Sequence, residues 1–527
     1  MAYQDPKYVD FSLYLVTDST SAILRDRDLV EVVEAAIEGG VTIVQYRDKV
    51  SDTAALVSTA KKLHNVTRKH QVPLLINDRI DVALAVGCEG VHIGQDDLDL
   101  TSARRLLGKE AIIGVTVTTI AEAQKACKDG ANYLGIGTVF ATPTKTNTKD
   151  IIGTAGTKEI LAAIAKEGSH VATVCIGGIN ASNVQRVMYQ SSSPEKGLDG
   201  VAIVSAIVAA KDPKHASQEL LKLVKGNPPF NTAPPNMDLR RNLSASSHVE
   251  RSAQVVREAA EVSPLSHNMT NLVVQNFAAN VALAVGGSPI MANYGEEAAD
   301  LAKLGGSLVI NMGTVTPEGL INYAKAMRAY NLVGGPIVFD PVGGGATAVR
   351  RDAVKSLLAA GYFDVIKGNE GEIKTVFGTV VQQKGVDSGA STSTDEEKAT
   401  LVRDLARREC NVVVMTGATD FLSDGQRTFA VNNGHELLGA ITGSGCVLGT
   451  AISIMLAAWK EDRLLATLAG LLHFEIAAEI AAERDDVKGP GSFVPALIDE
   501  IYNIQKSALK RESDWLKRAN VDFVDLE

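Results

Sequence analysis

Two acidic elements follow consecutive apolar segments early in the chain: Asn77-Asp78 after LLI, and Gln95-Asp96-Asp97 after GVHIG. Carboxylates gathered at one place can hold Mg²⁺, which takes one or two of them and leaves its other positions to water and phosphate oxygens. Gln45 and Arg47 are spaced by two within QYRDK, so on a strand they share a face, and Lys49 lies just beyond. An Arg fork and a Lys point charge suit the outer oxygens of a diphosphate. TPTK adds the hydroxyls of Thr142 and Thr144 and the cation of Lys145, while Gly177-Gly178 and Val204-Ser205 offer corners for a phosphate. Singly, each has a plainer use: a strand-end Asp caps a helix, a Gly pair makes a turn, and QYRDK is a solvated loop. His92, in an apolar segment, reads as a core histidine and not a metal ligand.

Their common position gives these residues weight. Eight short apolar segments predict strands: 13–18, 42–47, 74–78, 90–94, 112–116, 133–140, 173–179 and 200–207. Most are separated by enough chain for a helix, the alternation of a parallel sheet wound by helices. Eight such units predict a closed (β/α)8 TIM barrel, whose functional groups gather where the strands end. Gln45, Arg47, Asn77, Asp78, Asp97, Thr116, Lys145 and Ser205 all fall there.

The second half holds different chemistry. No GxxxxGK[ST] occurs, so the phosphate-binding candidate is ITGSGC (441–446), which leads straight into an apolar helix. The N–H groups from Gly443 to Cys446 can converge on one anion at that helix start. Strand-like segments at 307–313, 336–345, 363–369 and 412–417 bring Asp340, Lys367, Asn369, Glu372 and Thr416 to their ends. Asp340 and Glu372 can organise Mg²⁺ through water while Lys367 meets nucleotide phosphates, the positioning-plus-charge logic of phosphoryl transfer. Cys446 has two open roles: a thiol whose pKa falls at the helix start and which accepts a proton, or a buried structural cysteine. His267 reads as a helix-start or loop residue, and His435 and His473 lack metal-ligand spacing.

At 527 residues the chain is too long for one barrel. The stretch 227–248 has two proline pairs and a serine cluster, so the expected division is a barrel over 1–226, a linker over 227–249 and a second α/β domain over 250–527. The polar region 381–397 reads as an exposed excursion. A net charge of −10 argues against nucleic acid as a partner. Five scattered cysteines without CxxC spacing read as thiols of a reducing compartment, and neither a signal core nor a membrane span is evident. The expectation is a cytoplasmic protein with no membrane partner.

QYRDK, NDR, VHIGQDD, FATPTK, IGGI and VAIVSAI, in this order, closely resemble thiamine phosphate synthase over about residues 10–215. That resemblance implies condensation of a hydroxymethylpyrimidine diphosphate with a thiazole phosphate, releasing diphosphate. It implies Mg²⁺ on Asp78 and Asp97, with Gln45, Arg47, Lys49, Asn77 and Lys145 around the pyrimidine diphosphate. Thr142, Thr144, Gly178, Val204 and Ser205 would hold the thiazole phosphate. Thr116 stands where the family usually has Ser.

The segments 264–280, 286–304 and 435–446 resemble hydroxyethylthiazole kinase, a likeness spanning about residues 250–510. It implies a ribokinase-like α/β domain that phosphorylates 4-methyl-5-(2-hydroxyethyl)thiazole with ATP. Met291 would lie at the thiazole, with Asn268 and Thr270 near it and Lys367 and Thr416 on ATP; bacterial relatives often have Arg at the Lys367 position. The resemblance also implies a homo-oligomer, a trimer or a hexamer. The kinase product is a synthase substrate, so the two resemblances meet at one intermediate. Two other readings fit the residue types: both folds with different substrates, and a sensor that binds these ligands without turnover.

Overall fold

A computed structural model describes residues 9–142, 151–230, 244–379 and 393–526. The chain divides into two compact units, Met1–Pro228 and Pro229–Glu527. In the first, β1 (Leu13–Val16), β2 (Ile43–Tyr46), β3 (Leu74–Asn77), β4 (Gly90–Ile93), β5 (Ile112–Val117), β6 (Tyr133–Ile136), β7 (Ala172–Ile176) and β8 (Gly200–Ile203) form a closed parallel barrel in that order. β1 pairs with both β2 and β8, which closes the ring. All eight expected strands are present. Several end earlier than their sequence segments because the polar residues at 17–18, 47 and 78 belong to the rim.

Strand alternation sorts the apolar side chains into two layers. Leu13, Leu15, Val44 and Leu74 face the surrounding helices, whereas Tyr14, Val16, Ile43, Leu75, Ile112, Tyr133 and Val174 pack together inside the barrel. Several helices start at strong caps: Asp28 accepts the N–H groups of Val30 and Glu31, and Thr119 and Glu122 form a capping box. Two strand glycines clear space for large rings. A Cβ at Gly114 would lie 1.9 Å from Tyr133 Cζ, and one at Gly135 would lie 2.9 Å from His92 Cε1. Gly114→Ala is therefore expected to destabilise the barrel by about 1–3 kcal/mol. Urea denaturation followed by circular dichroism should show the lower midpoint, and an unchanged midpoint would contradict the tight fit.

The second unit is a nine-stranded sheet. Its strands are β9 (Leu265–Met269), β10 (Ser288–Ile290), β11 (Ser307–Asn311), β12 (Ile337–Asp340), β13 (Val365–Asn369), β14 (Val412–Thr416), β15 (Asp420–Ser423), β16 (Thr428–Val431) and β17 (Val521–Phe523). The order is β10-β9-β11-β12-β13-β14-β15-β16-β17, parallel as far as β14 and antiparallel beyond it. Asn311 pairs with Asp340 and Asn369 with Thr416, so the ends of β11–β14 form one edge.

β9 was not legible as a strand, and His267 lies within it instead of in a loop or at a helix start. Its Nε2 is 2.8 Å from the Ala292 carbonyl. The serines read as linker include Ser244, which caps the helix Ala245–Val262. Residues 381–392 of the expected excursion lie outside the described residues, and its end becomes a capping box on the helix Asp395–Glu409. The helix Arg463–Ala482 is long and apolar enough to cross a membrane by length and composition. However, 89% of its most apolar window is buried within this unit.

Candidate active sites

At the barrel mouth, β3 and β4 are paired neighbours, with Asn77 opposite His92. Asp78 follows β3 in a left-handed conformation (φ 66°), and its N–H donates to the His92 carbonyl at 2.8 Å. Asp tolerates that conformation better than most residues. Lys49 Nζ lies 3.3 Å from Asp78 Oδ2. Asp97 closes the loop after β4, its Oδ2 accepting the Gly94 N–H at 2.7 Å. Among the described residues no three His, Cys, Asp or Glu side chains cluster as a metal cage. Two hard carboxylate donors beside an open mouth fit a Mg²⁺ that also takes phosphate oxygens.

The other barrel residues come from neighbouring strands. The N–H of Arg47 donates to Thr17 Oγ1 at 2.9 Å, pinning the end of β2 to β1. Gln45 is buried, with Nε2 donating to Tyr14 OH at 2.8 Å, and Thr116 Oγ1 is 2.8 Å from His92 Nε2. Gly177 and Gly178 have φ of 112° and 66°. A Cβ on Gly178 would meet Phe140 Cβ at 2.8 Å, so the loop leading to Thr142 lies directly against this pair. Val204 precedes the short helix that Ser205 opens. Thr144 and Lys145 lie outside the described residues.

In the second unit, Asp340 at the end of β12 is buried, with its Oδ2 3.2 Å from Lys367 Nζ and 2.9 Å from Asn311 Nδ2. Lys367 also donates to the Gly445 carbonyl at 2.7 Å, tying the sheet edge to the start of the helix Ser444–Ala458. Burial alone would lower this ammonium, but Asp340, Cys446 and Glu372 outweigh it and hold it above the usual lysine range. Burial also raises the Asp340 carboxyl against the pull of Lys367. Glu372 accepts from the N–H groups of Gly343 (2.7 Å) and Asn369 (2.8 Å). Burial and the neighbouring Asp340 push its carboxyl up to about 7.

Gly443 caps that helix with φ 87°, and a Cβ there would lie 2.2 Å from Val274 Cγ1, so only glycine fits. Of the two roles open to Cys446, burial favours the structural one. Burial, then the charge of Asp340, push its thiol up to about 11, opposite to the fall expected at a helix start. The thiol is therefore protonated near neutral pH. A general base contributes about 10²–10⁴-fold, so Cys446→Ala is expected to cost kinase turnover less than about tenfold. A larger loss in steady-state kinetics would restore the base role.

Asn271 escaped sequence reasoning. Its Nδ2 lies 3.6 Å from Cys446 Sγ and 3.0 Å from Asn311 Oδ1, joining the helix start to the sheet edge. Asn268 is buried, giving hydrogen bonds to Ser266 and accepting one from Thr450 at 2.7 Å. It braces β9 against the helix. Thr270 follows β9 and is buried, Met291 follows β10 and is half-buried, and Thr416 ends β14 beside Asn369.

Barrel and sheet each gather polar groups at their strand ends, an arrangement that suits a phosphate-handling transferase and a kinase. Family models agree: Thiamine monophosphate synthase matches residues 13–207 and the Hydroxyethylthiazole kinase family matches residues 256–507. A probable thiamine biosynthetic bifunctional enzyme of Schizosaccharomyces pombe is 41% identical, covering 98% of this chain and 99% of that protein. The thiamine biosynthetic bifunctional enzyme of Saccharomyces cerevisiae is 35% identical, covering 94% and 96%. A hydroxyethylthiazole kinase of Moorella thermoacetica is 43% identical over 251 residues, 48% of this chain and 92% of its own. The chain belongs to the family of bifunctional thiamine biosynthetic enzymes, a thiamine phosphate synthase domain followed by a hydroxyethylthiazole kinase domain.

Proposed function

We propose that the second unit phosphorylates 4-methyl-5-(2-hydroxyethyl)thiazole with ATP, and that the barrel joins the resulting thiazole phosphate to 4-amino-2-methyl-5-hydroxymethylpyrimidine diphosphate. The products are thiamine phosphate and diphosphate. The observation that carries this reading is the presence, in one chain, of a barrel mouth where Lys49 meets Asp78 and of a glycine-led helix start tied to Lys367 through the Gly445 carbonyl.

In the barrel, Gln45, Asn77 and Thr116 orient the pyrimidine, and Arg47, Lys49 and Lys145 bind its diphosphate. Thr142, Thr144, Gly178, Val204 and Ser205 hold the thiazole phosphate. What Mg²⁺ supplies when bound by Asp78 and Asp97 is charge neutralisation on the diphosphate. The thiazole nitrogen already has a lone pair, so no strong base is required. The C–O bond to diphosphate breaks as Arg47, Lys49 and Lys145 take up the charge, and the nitrogen then bonds the methylene carbon. An electron-withdrawing pyrimidine substituent is expected to slow this step, and an unchanged rate would contradict the dissociative course.

In the kinase, Lys367 and Thr416 contact ATP, and Asp340 and Glu372 would hold Mg²⁺, which would neutralise charge on the nucleotide phosphates. The N–H groups from Gly443 to Cys446 meet the transferring phosphoryl. Thr270 and Met291 line the thiazole, with Asn268 bracing them. Leu272, Val273 and Tyr294 are exposed apolar residues just past β9 and β10, beside that subsite. They support a homo-oligomer, a trimer or hexamer, whose mass light scattering would measure. No disulfide is present among the described residues, which suits a cytoplasmic enzyme. Phosphorus NMR tests the scheme. Thiazole phosphate should yield diphosphate without ADP, whereas the thiazole alcohol should yield both; diphosphate release from the alcohol without ADP would sink the order of steps.

A further inference from the structure

Five side chains form one unbroken hydrogen-bond chain across the barrel interior. Gln45 Nε2 donates to Tyr14 OH at 2.8 Å, and Tyr14 OH lies 2.7 Å from Tyr133 OH. Tyr133 OH lies 2.7 Å from His92 Nδ1, and His92 Nε2 lies 2.8 Å from Thr116 Oγ1. The tyrosines are 1% and 0% exposed, so bulk water cannot substitute for a missing partner. Gly114 and Gly135 leave the space that the Tyr133 and His92 rings fill, so the fold is built around this chain. Its two ends, Gln45 on β2 and Thr116 on β5, lead to the mouth.

The chain has a direction. An amide NH₂ can only donate, so Tyr14 accepts at the Gln45 end and passes its single hydrogen to Tyr133. Tyr133 in turn donates to His92 Nδ1. The ring hydrogen of His92 therefore sits on Nε2 and is given to Thr116 Oγ1. At the mouth, the Nε2 turned to Tyr14 leaves the Gln45 carbonyl Oε1 to meet a ligand, and Thr116, accepting from His92, retains its own hydrogen to donate.

We infer that Tyr14, Tyr133 and His92 are positioning residues that fix Gln45 as an acceptor and Thr116 as a donor, and so select an aminopyrimidine over its 4-oxo counterpart. The inference rests on the proposed pairing of Gln45 and Thr116 with the pyrimidine. An exocyclic amine offers hydrogens, and the adjacent ring nitrogen offers a lone pair. The 4-oxo ring reverses both, offering a carbonyl lone pair and a ring N–H. Against a fixed Gln45 carbonyl it leaves two acceptors facing each other, the arrangement that polar sites reject most strongly. Accepting from the amine also favours electron release into the ring as the methylene carbon becomes cationic.

The test compares kcat/KM for the amino and 4-oxo pyrimidine diphosphates, with thiazole phosphate supplied, in the full chain and its Tyr14→Phe and Tyr133→Phe variants. Wild type is expected to prefer the amino substrate by at least about 100-fold. Each variant should lose roughly tenfold of that preference, because a released amide can rotate. The KM for thiazole phosphate and the kinase rate should not move. A discriminating wild type whose preference survives both substitutions overturns the chain; a wild type that turns over neither diphosphate overturns the barrel's proposed substrate instead. A second measurement needs no altered tyrosine. Nitrogen NMR of [¹⁵N]histidine-labelled protein, with His92 identified by its loss in His92→Gln, should show the Nε2–H tautomer, and an Nδ1–H tautomer would reverse the direction and refute the inference.

Discussion

Asp97→Ala is expected to lower thiamine phosphate formation by about 10²–10³-fold while leaving thiazole phosphorylation at the wild-type rate. Asp97 follows β4 and Asp78 follows its paired neighbour β3, and the Asp97 Oδ2 is held by the Gly94 N–H. Removing it takes away one of only two carboxylates assigned to the cation. The remaining Asp78 is already paired with Lys49 at 3.3 Å. The loss should appear in kcat with saturating thiazole phosphate, because the missing charge acts on departing diphosphate and not on the thiazole. An Asp97→Ala protein with more than a tenth of wild-type synthase turnover would remove Asp97 from the metal site. A parallel fall in kinase rate would point to a folding defect.

Gly445→Asp is expected to abolish kinase activity, by roughly 10³-fold, and to leave the synthase intact. A Cβ at Gly445 meets nothing nearer than Lys367 Nζ, at 3.6 Å. The position therefore accepts a side chain sterically, but an aspartate there presents its carboxylate to the lysine that anchors the anion loop. It also places negative charge where the proposed scheme seats the transferring phosphoryl oxygens. Gly445→Ala is the control: with no charge and no close contact it should retain activity within a few-fold. Thiazole phosphate supplied directly should restore thiamine phosphate formation in Gly445→Asp, as product assays would show. Failure of that rescue would mean that the substitution damages more than the kinase.

Much of this arrangement was legible in the chain itself. The eight barrel strands could be read because short parallel strands covered by helices are nearly continuous apolar runs, and several end where polar rim residues such as Thr17, Arg47 and Asp78 begin. The same reasoning found β11–β14. It failed at β9 because LSHNM looks polar. Its Ser266 and Asn268 are buried with hydrogen-bond partners, Ser453 and Thr450, that lie far along the chain. β17 was equally hidden, since it joins β16 from residue 521 onward.

Within the sites, charged residues at strand ends were easy to find and the groups that orient them were not. Tyr14 and Tyr133 carried no signal beyond their place in apolar strand segments, and His92, read as a core histidine, gave no sign of its bond to Thr116. Gly114 and Gly135 carried the missing signal, but a strand glycine has meaning only once the ring filling its space is known. At Cys446 the helix start favoured a lowered pKa, yet burial beside Asp340 dominated. Asn271 had no sequence signal beyond its place in a polar turn.

The most direct test of the central claim is to supply the purified chain with Mg²⁺, hydroxyethylthiazole, the hydroxymethylpyrimidine diphosphate and ATP carrying ¹⁸O in its γ-phosphoryl group, and to weigh the products by mass spectrometry. Thiamine phosphate bearing the label is the predicted result, because the phosphoryl group passes from ATP to the thiazole before the barrel joins the rings. Unlabelled thiamine phosphate, or labelled thiazole phosphate that never becomes thiamine phosphate, would contradict it.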